Sequence, residues 1–194
     1  MKTLRLQLIV NLKTKGSEMA LKKKKVSVKG AKKNLVLETN KGNITIELLN
    51  ALAPNHCKRI LQLSKDKFFD DVVFHRVIDG FMAQTGDGQF GSLKKGLQSD
   101  RVGMGGSDLP DLEAEFTSEP FVRGIVGMAR SQNPNSANSQ FFIMLEDSMH
   151  LNNQYTVWGK VLKGMDVVDK IKKGDQSDNG KVDDPDFIKT IKNV

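Results

Sequence analysis

The chain has 194 residues, 38% hydrophobic and 27% charged, with one cysteine (Cys57) and three histidines. No apolar run approaches the roughly 18 residues of a membrane span. One cysteine excludes a disulfide framework and a Cys-based zinc site, and His56, His75 and His150 leave little for a catalytic metal centre. The formal charge of +7 belongs to one end: residues 1–34 carry 11 Lys/Arg against Glu18 alone, whereas residues 35–194 carry 19 Lys/Arg and 22 Asp/Glu, a net of −3.

Residues 1–34 therefore read as a basic extension that stays solvated, ahead of one folded domain over residues 35–194. The run Lys22 to Lys25 offers contact to RNA or anionic lipid by charge alone. Leu4 to Leu12 is broken by Arg5, Gln7 and Asn11, short of the uninterrupted apolar stretch of a secretory signal, so the expected location is the cytoplasm. Met19 is a second candidate start.

Leu35 and Leu37 alternate, Asn40-Lys41-Gly42 turns the chain, and Ile44, Ile46 and Leu48 alternate again, a hairpin pattern. Pro54 opens a helix that ends near Lys67. Its apolar face is Cys57, Ile60, Leu61 and Ser64, and Cys57 there is a small buried residue. Asp70-Asp71 reads as a turn. Val72 to Ile78 is one strand, with Phe74, Arg76 and Ile78 on one face and Val73, His75 and Val77 on the other. Phe81 to Thr85 is extended. Residues 86–106 form a long glycine-rich loop. Gly124 to Arg130, Gln140 to Leu145 and Tyr155 to Leu162 are further strands. Met165, Val168 and Ile171 form a short helix, Gly174 to Asp186 a polar loop, and Phe187 to Val194 a last strand. Many short strands with two helices predict a mainly β antiparallel barrel or sandwich.

Several motifs carry no chemistry. Gly103-Met104-Gly105-Gly106 precedes no helix and lacks the Gly-Lys-Ser/Thr ending of a phosphate loop, so it reads as flexible. His56 has no partner at metal spacing and reads as helix surface. No Ser sits in a nucleophile elbow. The informative stretch is Phe74-His75-Arg76-Val77-Ile78-Asp79-Gly80-Phe81-Met82-Ala83-Gln84-Thr85-Gly86-Asp87. An Arg among apolar strand residues is unusual unless paired, and Phe81, Met82 and Gln84 offer an apolar wall with one amide. In Ser139-Gln140-Phe141-Phe142-Ile143, period 2 again sets an amide, Gln140, beside a ring, Phe142. Taken alone, each pair also suits core plus a satisfied polar group.

These stretches, with Gly-Met-Ala-Arg-Ser at 127–131 and Tyr-Thr-Val-Trp-Gly-Lys-Val at 155–161, resemble the cyclophilin family of peptidyl-prolyl cis-trans isomerases, in its bacterial branch, over about Leu35 to Val194. The resemblance implies a closed eight-stranded antiparallel barrel capped by two helices, with the site in a groove on its outer surface. It implies an enzyme that accelerates rotation about Xaa-Pro bonds in peptides and unfolded proteins, assists folding and needs no metal or cofactor; with no obvious exposed apolar helix in the sequence, a monomer is the default expectation. Arg76 falls on the family's catalytic arginine. Phe81, Met82 and Phe142 fall on the pocket for the proline ring, with Leu151 at its edge. Gln84 and Gln140 fall on residues holding the substrate backbone and Arg76, and Ala129 and Arg130 on the segment that pairs with an extended peptide. Two substrate-site positions depart from eukaryotic members: His150 stands where they carry Trp, and Tyr155 where they carry His. The missing Trp predicts weak cyclosporin binding. The loop from Gly88 to Val102 is about ten residues longer than in the short eukaryotic forms. A regular strand would also set Phe81 opposite Met82 and Gln84, so a bend is needed for all three to share a groove. A proline-binding module or chaperone without catalysis is the alternative.

Overall fold

The computed structural model describes residues 34–194; the expectations for the basic extension, its polyanion contacts and Met19 concern residues outside those described. β1 (Asn34–Thr39) and β2 (Gly42–Leu48) form the expected hairpin, with Thr39 opposite Gly42. Alternation buries Leu35, Leu37, Ile44, Ile46 and Leu48 on one face.

α1 (Pro54–Lys65) starts at its proline and buries His56, Cys57, Arg59, Ile60, Leu63 and Ser64. The buried stripe is rotated from the expected one, taking in His56 and Leu63 while Leu61 is only partly buried. His56 is not on the helix surface: its side chain is fully buried, and Nδ1 lies 2.6 Å from Glu115 Oε2. That partner, 59 residues away, makes an imidazole tolerable inside.

The expected strand Val72 to Ile78 is two strands, β3 (Val72–Val73) and β4 (Arg76–Ile78). Between them Phe74 donates its N–H to the Asp186 carbonyl at 2.8 Å, and the His75 carbonyl accepts from Val182 N–H at 3.1 Å. The break also changes the facing. Phe74 joins Val77 in the interior cluster, while Ile78 packs outside, so Phe74 does not share a face with Arg76's neighbour Ile78. The remaining elements are β5 (Met82–Thr85), β6 (Ile125–Met128), β7 (Phe141–Met144), β8 (Val157–Lys163), α2 (Met165–Asp169) and β9 (Phe187–Asn193).

The nine strands of the described residues lie in one antiparallel sheet of order β3-β9-β1-β2-β8-β6-β7-β5-β4. The resemblance implies eight strands in a closed ladder. The ninth arises from the split of residues 72–78, and the ladder is left open between β3 and β4. Those two end strands are consecutive in the chain, so the sheet curls back on itself. The segment 180–186 supplies backbone partners across the gap, Gly180 O accepting from Val77 N–H at 2.8 Å.

The curl encloses a core in which Phe141 meets Phe69 and Trp158 edge-on at 5.7 and 5.4 Å. Cys57, Ile60 and Leu63 of α1 and Val168 of α2 pack against it. A second apolar cluster, including Met82, Phe121, Ile125, Phe142, Met144 and Val157, lies on the other face of β5, β7, β6 and β8. β7 shows why its sequence is an unbroken apolar run: Phe141 and Ile143 face one cluster, Phe142 the other, and all four residues are buried. This outer cluster is the floor of the site. Among the described residues no helix is long and apolar enough to cross a membrane.

Candidate active site

β4 and β5 are paired so that Arg76 lies opposite Gln84 and Ile78 opposite Met82. A turn joins them, with Phe81 N–H donating to the Ile78 carbonyl at 3.1 Å. Phe81 thus belongs to the turn and not to β5, which resolves the parity problem. Met82 and Gln84 alternate outward while Ala83 enters the core, and Phe81 swings to the same side from outside the ladder.

Arg76 is half buried and held from two directions. Nη1 donates to Gln84 Oε1 at 3.2 Å. Nε donates to the Asn179 carbonyl and Nη2 to Asn179 Oδ1, each at 2.9 Å. A weaker contact joins Nη1 to Met82 Sδ at 3.9 Å. All these acceptors are neutral, so the guanidinium is oriented without being neutralised. Burial lowers its pKa from the ordinary guanidinium value, partly offset by Tyr155, and Arg stays charged under all working conditions.

The amides continue the chain of contacts. Gln84 Nε2 donates to Gln140 Oε1 at 3.0 Å, and Gln140 Nε2 donates to the carbonyls of Gly103 and Gly105 at 2.9 and 2.8 Å. The Gly103–Gly106 stretch is therefore not a free loop: Gly103 and Gly105 also donate their N–H groups to Asp87 Oδ2 at 2.7 and 3.0 Å. Sequence spacing hides this, because Asp87 lies 16 and 18 residues away.

Beside Arg76 opens a cavity of about 200 Å³. Phe81, Met82, Phe142 and Leu151 give it apolar walls; Arg76, Gln84, Arg130 and Tyr155 add polar groups, and Ala129 completes the lining. Phe142 is wedged between Phe121, stacked at 5.8 Å, and Tyr155, edge-on at 5.7 Å. Gly127 permits this, since a Cβ there would fall 2.5 Å from Phe142 Cζ and 2.6 Å from Phe121 Cε1. Arg130 lies over the Tyr155 ring at 4.5 Å and donates to the Gln154 carbonyl.

Nine of the eleven residues singled out from the sequence line this one cavity. Gln140 does not; it lines an adjoining cavity of about 250 Å³ with Gly103, Gly105, Ser131 and Asn138, which shares Gln84, Ala129 and Arg130 with the first. His150 also lies outside the lining, on the rim, where its exposed ring stacks on Phe81 at 5.8 Å and 28°. The sequence reading missed Asn179. Its one signal was Asp178-Asn179-Gly180 in a polar loop, a triplet suited to a positive φ, which Asn179 has at 53°.

A family model described as cyclophilin type peptidyl-prolyl cis-trans isomerase matches residues 34–193. A probable peptidyl-prolyl cis-trans isomerase of Brucella suis is 59% identical over 154 residues, 79% of each chain. A peptidyl-prolyl cis-trans isomerase of Acinetobacter baylyi is 40% identical, covering 70% of this chain and 69% of its own. Among solved structures, a cyclophilin from Hirschia baltica superposes with a TM-score of 0.69 at 26% identity, covering 82% of this chain and 73% of its own. A cyclophilin type isomerase of Cryptosporidium parvum, crystallised in the presence of the dipeptide Ala-Pro, superposes with a TM-score of 0.69 at 29% identity, covering 81% and 96%. With the family model spanning residues 34–193 and a relative 59% identical over 79% of each chain, the chain belongs to the cyclophilin-type peptidyl-prolyl cis-trans isomerases.

Proposed function

We propose that Arg76 is the catalytic residue of this isomerase and that the adjoining apolar cavity holds the substrate proline ring. The observation that supports it is a guanidinium oriented only by neutral acceptors at the polar edge of that cavity. An Arg has five N–H donors. Three are engaged with oxygen, leaving two, one of which reaches only the weak Met82 sulfur.

The Xaa-Pro bond resists rotation because its nitrogen lone pair is delocalised into the carbonyl, with a barrier of roughly 18–20 kcal/mol. The free Arg76 donors serve the proline carbonyl and the nitrogen as it becomes pyramidal, so the lone pair localises and the bond turns as a single bond. No bond forms or breaks. Phe81, Met82, Phe142 and Leu151 hold the ring, and Gln140, Ala129 and Arg130 hold the preceding backbone, so the carbonyl side rotates against a fixed proline. The substrates are extended proline-containing segments of peptides and unfolded proteins, met in the cytoplasm. His150 in the rim position leaves cyclosporin weakly bound.

The test is NMR exchange on a short Ala-Pro peptide. Removing one preorganised donor costs enzymes about 10²- to 10³-fold in turnover, and Arg76→Ala is expected to fall in that range while still binding peptide. Turnover within about threefold of wild type would remove Arg76 from the role. A wild-type chain that binds the peptide without speeding exchange would instead be a proline-recognition module.

A further inference from the structure

The Asp87 side chain is fully buried, yet the hydrogen bonds it accepts come from backbone N–H groups alone. Oδ1 accepts from Gln89 at 3.1 Å and Phe90 at 2.9 Å; Oδ2 accepts from Gly103 at 2.7 Å and Gly105 at 3.0 Å. One carboxylate thus ties the start of the long 88–102 loop to its end. A burial this costly persists only where every lone pair is used. The loop is shaped around it: a Cβ on Gly105 would sit 2.4 Å from Asp87 Oδ1.

The tied segment faces the site. The Gly103 and Gly105 carbonyls take both N–H bonds of Gln140 Nε2. Gln140 must then present Oε1 to Gln84 Nε2, and Gln84 must present Oε1 to Arg76 Nη1. Each amide has one orientation because the previous member dictates it, and Asp87, an acceptor with no alternative role, stands at the start. We propose that Asp87 is a positioning residue for the isomerase reaction, setting the Arg76 guanidinium through Gly103, Gly105, Gln140 and Gln84. The proposal rests on Arg76 being the catalytic residue, and it gives the longer loop a purpose: Asp87 closes that loop into a rigid strut behind the site.

The experiment compares wild type, Asp87→Asn, Gly105→Ala and Arg76→Ala in the full chain, measuring kcat and KM on an Ala-Pro peptide and the side-chain amide NMR resonances of Gln84 and Gln140. Asp87→Asn keeps the shape but turns an NH2 group toward one pair of N–H donors. Gly105→Ala keeps the carboxylate and displaces it. Misplacement at about the ångström scale costs up to about 10²-fold, so kcat is expected to fall about 10- to 100-fold in both. KM is expected to change by much less than kcat, because Phe81, Met82 and Phe142 are untouched and only the Gln140 contact to the preceding backbone is disturbed, and both Gln resonances are expected to shift. Ile191→Val, in the core on β9, is the control that lowers the melting temperature and leaves kcat alone. A folded Asp87→Asn with wild-type kcat, or with kcat lost and both Gln resonances unmoved, overturns the proposal. If Asp87→Asn does not fold, Gly105→Ala decides by the same two readouts. If Arg76→Ala keeps wild-type turnover, the catalytic reading of Arg76 fails and the proposal falls with it, while the Gln resonances still report whether Asp87 orients the amides.

Discussion

Arg76 and Asn179 meet across 103 residues of sequence, and the contact is both a backbone and a side-chain one. This gives Asn179 two separable jobs. Its carbonyl fixes Nε regardless of side chain, and its Oδ1 fixes Nη2. A hydrogen bond to a charged group is worth about 1.5–3 kcal/mol, so Asn179→Gly, which tolerates the positive φ, is expected to lower kcat about tenfold at unchanged KM. Asn179→Asp is the sharper variant. It keeps both acceptors and tightens the hold on the guanidinium, but it neutralises the charge that the proposed mechanism draws on. Its kcat is expected to fall as far as the Gly variant's or further, in the same peptide exchange measurement. An Asp variant as fast as wild type would mean that orientation alone matters at Arg76.

At the scale of elements, α1 has no cap of its own. Ala53 offers no side-chain acceptor, and two first-turn donors that the helix itself leaves unpaired are met by Glu115 from a loop. Its Oε1 accepts from Asn55 N–H at 3.1 Å and Oε2 from His56 N–H at 3.0 Å, while His56 Nδ1 sits 2.6 Å from Oε2. An anion here both caps and complements the helix dipole, effects of about 1 kcal/mol each. Glu115→Ala is expected to destabilise the domain by about 2 kcal/mol, read from the urea midpoint, with Glu115→Gln losing less and kcat unchanged in both. The same pair marks what a sequence can and cannot reveal. The hairpin at 34–48, both helices and the shared face of Met82 and Gln84 follow from alternation, proline and turn residues, which are local. The burial of His56, the break at Phe74-His75 and the clamp by Asn179 depend on partners tens to a hundred residues away, for which no spacing rule exists. The glycine stretch at 103–106 misled for the same reason: its partners, Asp87 and Gln140, are supplied by the fold. Assigning the roles of Arg76 and its neighbours needed the family resemblance, since amide-beside-ring pairs also occur in ordinary cores.

For the molecule as a whole, two buried imidazoles make stability depend on pH. Burial lowers the His56 pKa below its ordinary 6.5, against the opposing pull of Glu115. His75, packed behind Arg76, is pushed down to about 4, chiefly by burial; Asp87, the Val73 carbonyl and Gln140 oppose the shift and Arg76 reinforces it. An unfolded chain binds protons at these sites near pH 6.5, before the folded one does. The stabilisation is therefore complete above that pH and is lost as pH falls through the window from 6.5 to about 4. At about 1.36 kcal/mol per pKa unit, His75 alone contributes about 3 kcal/mol at neutral pH. Glu115, Asp169 and Asp186 also have lowered values. Being carboxylates, they withdraw their share only at lower pH, so the loss between pH 6.5 and 4.5 belongs to the histidines. The urea midpoint is expected to drop steadily over that range, and His75→Gln, which cannot take up a proton, is expected to flatten much of the slope. A wild-type midpoint that stays constant from pH 7 to 4.5 would mean that these rings are solvated in the folded chain, contrary to their burial here.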